Sequence, residues 1–185
     1  MVMVQALLTM VAALAATIVF ASPAGAPQIS VVETAGVYRV TASFTVAASP
    51  VTVATVLTDY ERIPQFMPDV KTSQVRSRTD AGLVVEQEAI AKFMMFSKRV
   101  HLVLDVNDDG VTIRFRDRCG KSFAVYEGAW RLTSVGANTT VFYDLSAKPT
   151  FEVPAFVLKR LLKRDAAVMI ERLTAEIVAR AAPSK

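Results

Sequence analysis

A long stretch of period-two alternation followed by a single long stretch of helical period constrains this chain most. Candidate strands run over 70–79, 83–92, 98–107, 111–118, 122–134 and 139–148. Turn residues separate them at Asp80-Ala81-Gly82, Asn107-Asp108-Asp109-Gly110, Cys119-Gly120 and Gly136-Ala137-Asn138. Val100, Leu102, Leu104 and Val106 take one face of their strand, and His101 and Asp105 take the other. Tyr126, Gly128, Trp130 and Leu132 share a face, as do Val141, Tyr143 and Leu145. An earlier strand is marked by Tyr38, Val40, Ala42, Phe44 and Val46. From Pro154 to about Ala182 the period becomes helical, with Leu158, Leu162, Ala166, Met169, Leu173 and Ile177 on one stripe.

Between the first strand and the rest, Ser49-Pro50 supplies an N-cap and a proline at the first helical position. Pro64 and Pro68 interrupt the helical spacing after it, so two short helices are expected over 50–58 and 60–66. Asp59 is expected to cap the second, and Tyr60 to pack. The order is strand, two short helices, six strands, one long helix. It predicts an α+β fold: a curved seven-stranded antiparallel sheet around a long C-terminal helix, with the short helices after the first strand. A helix about 10–12 Å across cannot cover a sheet of that width. The expected consequence is an apolar hollow between helix and sheet, suited to a ligand.

The N-terminus points outside the cytoplasm. No charged side chain precedes Glu33, and Met1 to Ala21 is almost wholly apolar. Small residues follow, with plausible cleavage after Ala21 or Ala26. Residues 1–26 read as a signal peptide or an N-terminal membrane anchor, and 27–185 as one folded domain. The product is expected to be periplasmic or secreted. The single Cys119 excludes a disulfide framework, and the single His101 removes most His-based metal sites. A net charge of +4 with scattered basic residues gives no nucleic-acid footprint. The chain lacks a Gly-rich phosphate loop and a nucleophile elbow. No cofactor, no metal and no catalytic residue is assigned.

Three segments carry a family resemblance. They are Val56-Leu57-Thr58-Asp59-Tyr60-Glu61-Arg62-Ile63-Pro64-Gln65-Phe66-Met67-Pro68, Glu127-Gly128-Ala129-Trp130-Arg131-Leu132 and Lys148-Pro149-Thr150-Phe151-Glu152-Val153-Pro154. With the order of elements, they resemble the START-like (SRPBCC, helix-grip) superfamily of polyketide cyclase/dehydrase-like proteins, nearest the coenzyme Q-binding protein family. The resemblance spans about Val37 to Ala179 and implies a deep apolar cavity for lipid-like, quinone or polycyclic molecules.

Phe66, Met67, Tyr126, Trp130, Tyr143, Leu162 and Met169 are the expected ligand-binding residues. Each of the three aromatics with a polar atom also fits a plain core role. An exported binding or carrier protein is the leading reading. A cyclase, dehydratase or isomerase in the same cavity is the alternative. It needs an inward ionisable group such as Glu88 or Arg131 meeting Tyr143. Met94 and Met95, in the turn Phe93-Met94-Met95-Phe96, are candidates for a cavity mouth or a membrane contact. Lys159, Arg160, Lys163 and Arg164 could meet anionic headgroups or form a solvated helix face. His101 is expected on an exposed strand face, and Asp105, Asp108 and Asp109 in a hairpin without the spacing of a calcium loop.

Overall fold

The structure, a computed structural model, describes residues 26–80, 82–93 and 96–182. The predicted signal or anchor segment up to residue 25 and the Met94-Met95 tip lie outside the described residues. Eight strands form one antiparallel sheet. In chain order they are β1 (Gln28–Thr34), β2 (Val37–Val46), β3 (Val70–Thr79), β4 (Gly82–Phe93), β5 (Phe96–Asp108), β6 (Thr112–Asp117), β7 (Phe123–Val135) and β8 (Asn138–Pro149). Their spatial order is β1-β2-β8-β7-β6-β5-β4-β3, so a single crossover brings β8 beside β2. Helices α1 (Pro50–Thr58) and α2 (Ile63–Phe66) make that crossover with a 3-10 turn (Tyr60–Arg62) between them, and α3 (Ala155–Ala181) follows β8.

The expected seven strands are therefore eight, and the short helices follow the second strand. The added strand is Gln28–Thr34, which pairs with β2 through a hairpin at Ala35-Gly36. Both turn residues have positive φ, 52° and 78°. Asn-Gly or Asp-Gly is the usual signature of that geometry, and alanine there hides it. The Gly36 N–H donates to Glu33 Oε1 at 2.8 Å and helps hold the turn. Ile29 and Val31 pack against the core from this strand.

Local signals elsewhere act as expected. The Thr52 N–H donates to Ser49 Oγ at 3.2 Å, and Pro50 begins α1. Tyr60 packs into the core. Asp59 does not cap, however. Its carboxylate accepts from Arg180 Nη1 near the end of α3 at 2.7 Å. Arg180 Nε donates to Glu176 Oε1, also at 2.7 Å, while Nη2 is sealed without a partner. A long-range pair thus replaces a local cap and ties α3 to the end of α1.

The core lies on the concave face of the sheet. Val40, Val85, Leu104, Val141 and Leu145 from four strands meet Val53 and Val56 of α1 and Ala166, Ile170, Leu173 and Ile177 of α3. Along its length α3 lies against β1, β2 and α1. It therefore covers one side of the sheet, and the wall made by β4 to β7 curves up opposite it.

Candidate functional site

The concave face carries a run of rings. Trp130 and Tyr143, directly paired across β7 and β8, have ring centroids 4.3 Å apart. Phe115 on β6 lies 6.4 Å from Tyr143 and 6.0 Å from Tyr126. Tyr126 lies 4.9 Å from Phe123, which is 6.4 Å from Phe151. Offset and tilted arrangements at these separations are favourable ring contacts.

The backbone explains how the run is continuous. Gly128 sits between Tyr126 and Trp130 on the same face of β7 and opposite Phe115. A Cβ there would come within 2.8 Å of Phe115 Cζ and would strike the Asp144 carbonyl oxygen. The missing side chain is what lets the Phe115 ring lie between the two tyrosines. A register shift between Phe123 and Val125 adds the second device. This bulge brings Phe123 onto the face of Tyr126 despite their odd spacing.

The structure thus brings Tyr126, Trp130 and Tyr143 of the expected set into one cluster. Phe66 and Met67, at the end of α2, and Leu162 and Met169, on α3, pack half-buried against the same core. Sequence reasoning missed Phe115, Phe123 and Phe151. Phe115 sits in Arg114-Phe115-Arg116, whose charges drew attention from the alternation, and the bulge broke the pattern at Phe123.

The polar atoms in this cluster have no partner within the fold, a status they share with the hydroxyls of buried Tyr38 and Tyr60. Tyr143 is only 6% exposed and Tyr126 is half-buried. Within the described residues neither hydroxyl, nor the Trp130 indole N–H, has a hydrogen-bond partner, yet none of the three atoms is sealed. An unpaired buried hydroxyl costs about 1–3 kcal/mol, and most such groups in proteins are paired. Burial pushes the Tyr126 phenol up to about 12, and the charge of Asp117 adds to the rise. Tyr143 is raised well above the usual tyrosine value, by burial first and then by Tyr126 and Asp144. Both hydroxyls are therefore protonated near neutral pH.

Strand alternation sends ionisable groups to the outer face. Arg116 pairs with Glu127 at 2.9 Å, Arg118 with Asp105 at 2.9 Å and Arg39 with Asp144 at 2.8 Å. Glu88 lies beside His101 there, and exposed Arg131 is in register with exposed Phe142, so neither meets Tyr143 within the concave cluster. His101 is on the outer face as expected but is not exposed. Its side chain is 18% accessible, 3.6 Å from Glu86 and 3.8 Å from Glu88. Two open hollows of about 400 and 760 Å³ lie on this outer face, walled largely by such charged residues and small side chains. Asp109 folds the β5–β6 turn by accepting from the Val111 and Thr112 N–H groups. Among the described residues no group of three metal-ligating side chains converges.

The family described as polyketide cyclase/dehydrase and lipid transport has a sequence model that matches residues 38–181. The chain belongs to this family. The matched span of this START-like domain begins at β2 and ends with α3, so it contains the whole aromatic run. No curated protein matches the sequence. Solved structures share the fold of this START-like protein. A START superfamily protein from Mycobacterium smegmatis is 19% identical, with a TM-score of 0.67 over 76% of this chain and 97% of the other. A STAR-related lipid transfer protein from Xanthomonas axonopodis is 18% identical, with a TM-score of 0.63 over 81% and 98%. The Zhui aromatase/cyclase from a Streptomyces species is 15% identical, with a TM-score of 0.65 over 79% and 96%. At these identities the likeness is one of fold.

Proposed function

We propose that the protein is an exported binding or carrier protein for a hydrophobic small molecule, of lipid, quinone or polycyclic type, held between the concave sheet face and α3. The observation that carries this reading is the incomplete enclosure of the concave aromatic cluster. Large apolar side chains face the interior from β7, α2 and α3, yet Trp130, Tyr126, Phe66, Leu162 and Met169 remain only half-buried. Apolar surface left uncovered inside a protein favours an apolar occupant by ~25 cal/mol per Å². Membership of a family described by lipid transport as well as cyclase chemistry supports the same reading. The uncharged, apolar start of the chain supports export.

The cyclase, dehydratase or isomerase alternative gains nothing from Glu88 or Arg131, since both lie on the outer face. Delivery to a membrane fits one end of α3, where Phe156 is 76% exposed beside exposed Arg160 and Lys163. Lys159 is half-buried, and Arg164 is engaged by the Lys92 carbonyl at 2.9 Å. Anionic vesicles should bind this end and release it at high salt.

Organic extraction and mass spectrometry of the purified mature protein test the main reading. A near-stoichiometric hydrophobic molecule is the expected result. A protein that carries none and takes up no lipid, quinone or polycyclic compound would overturn it.

A further inference from the structure

The two edges of the sheet are built differently. At one edge β3 exposes Lys71, Arg76 and Arg78 and shifts register twice against β4. Charged side chains and bulges are how edge strands discourage pairing with another chain. At the other edge β1 has neither. Its seven residues pair with β2 in unbroken register and include no Lys, Arg or Pro. Its one charged side chain, Glu33, accepts from the Gly36 N–H at 2.8 Å. Val32 is 56% exposed on the outer face, in line with exposed Gln28 and Ser30. Among the described residues no strand but β2 bonds to β1. The strand also precedes residue 38, where the family match begins, so this edge lies outside the shared span.

The hairpin fixes which backbone groups of β1 point away from the sheet. Its two-residue turn closes on Thr34 and Val37, which form a hydrogen-bonded pair. Alternation then directs the N–H and C=O groups of Gln28, Ser30 and Val32 to β2, and those of Ile29, Val31 and Glu33 outward. We propose that β1 is the pairing edge of a homodimer: it joins β1 of a second copy, antiparallel, about a two-fold axis at Val31, and makes one continuous sheet of two. The strand is complementary to itself in this register. Val31 meets Val31, Ile29 meets Glu33, Ser30 meets Val32 and Gln28 meets Thr34. All the outward backbone groups find partners, and no charge faces a like charge. Every contact is repeated by the two-fold, as an isologous interface requires. The pairing does not rest on the carrier reading, because Tyr126, Trp130 and Tyr143 lie on β7 and β8, away from this edge.

One strand pair is a small interface of the transient kind, so a reversible dimer with a micromolar dissociation constant is expected. Sedimentation equilibrium of the purified mature protein over a concentration series measures it. Ser30→Lys/Val32→Lys would set lysine against lysine at both outer-face positions of the pair, and Ser30→Glu/Val32→Glu would set glutamate against glutamate. Both positions are exposed, and unchanged circular dichroism would show that the variants still fold. Each variant alone should dimerise at least about tenfold more weakly than the parent. An equimolar mixture of the two should regain the dimer, since lysine then faces glutamate. A parent protein that stays monomeric up to about 1 mM would overturn the proposal. So would a dimer that either variant leaves unweakened, or a mixture that remains monomeric.

Discussion

The indole ring of Trp130 and the phenol ring of Tyr143 lie 4.3 Å apart, centroid to centroid, at an interplanar angle of 32°. They face each other across a directly paired position of β7 and β8, with Phe115 and Tyr126 continuing the run. This contact joins two interior strands of the sheet, and it puts the chain's one tryptophan inside the proposed site.

Trp130→Ala should therefore have two effects. Loss of a half-buried ring against Tyr143 should lower stability by about 2 kcal/mol, read as a lower denaturant midpoint. Recovery of a co-purifying hydrophobic molecule should also fall, as it should in Met169→Ala. Undiminished recovery from both folded variants would remove them from the lining.

Gly128→Ala should be costly although it adds one methyl. The new carbon would meet the Asp144 carbonyl and the Phe115 ring edge, and β7 and β8 would have to part or the ring to turn. A loss of about 1–3 kcal/mol is expected for such overpacking. A variant as heat-stable as the parent would show that the Phe115 ring is free to move aside.

Arg180 and Asp59 should be energetically coupled. They are 121 positions apart in sequence, and their side chains are 19% and 26% exposed. A pair this sheltered lies between the weak exposed case and the strong buried one, so a coupling of about 1–2 kcal/mol is expected. A double-mutant cycle over Arg180→Ala and Asp59→Asn measures it. Strictly additive losses would mean that the pair does not anchor α3.

Alkaline pH should unfold the protein through its tyrosines. Burial raises Tyr60 and Tyr126 to about 12 and raises Tyr143 well above its ordinary value. A phenol whose folded value is raised keeps its full contribution below the unfolded value near 10. That contribution is lost as pH climbs through 10 toward the folded values, because the unfolded chain releases the proton more readily. Phenolate absorbance from these residues should accordingly rise together with loss of circular dichroism. Their ionisation in a still-folded protein at pH 10 would contradict the buried setting.

Much of this architecture could be read directly from residue order. Alternation placed Tyr126, Trp130 and Leu132 on one face, and the helical stripe anticipated Leu158, Ala166, Leu173 and Ile177, all four of which are buried. The Ser49-Pro50 start and the turns at Asn107-Asp108-Asp109-Gly110 and Gly136-Ala137-Asn138 also follow from near neighbours alone. Backbone period and capping chemistry act over a few residues, so a sequence carries them openly.

Tertiary structure decided what depends on register and curvature. The first hairpin turns on an alanine at positive φ, against its usual preference. One bulge brings Phe123 to Tyr126, and one glycine opens room for Phe115 between two tyrosines on different strands. Asp59 has a local role open to it and takes a distant arginine instead. The lack of partners for the Tyr126 and Tyr143 hydroxyls is of the same kind. It is set by what the rest of the chain brings, or does not bring, to one place. Period-two alternation determines the face a side chain takes, but a partner dozens of residues away is chosen only when the sheet has twisted and its strands have settled into register.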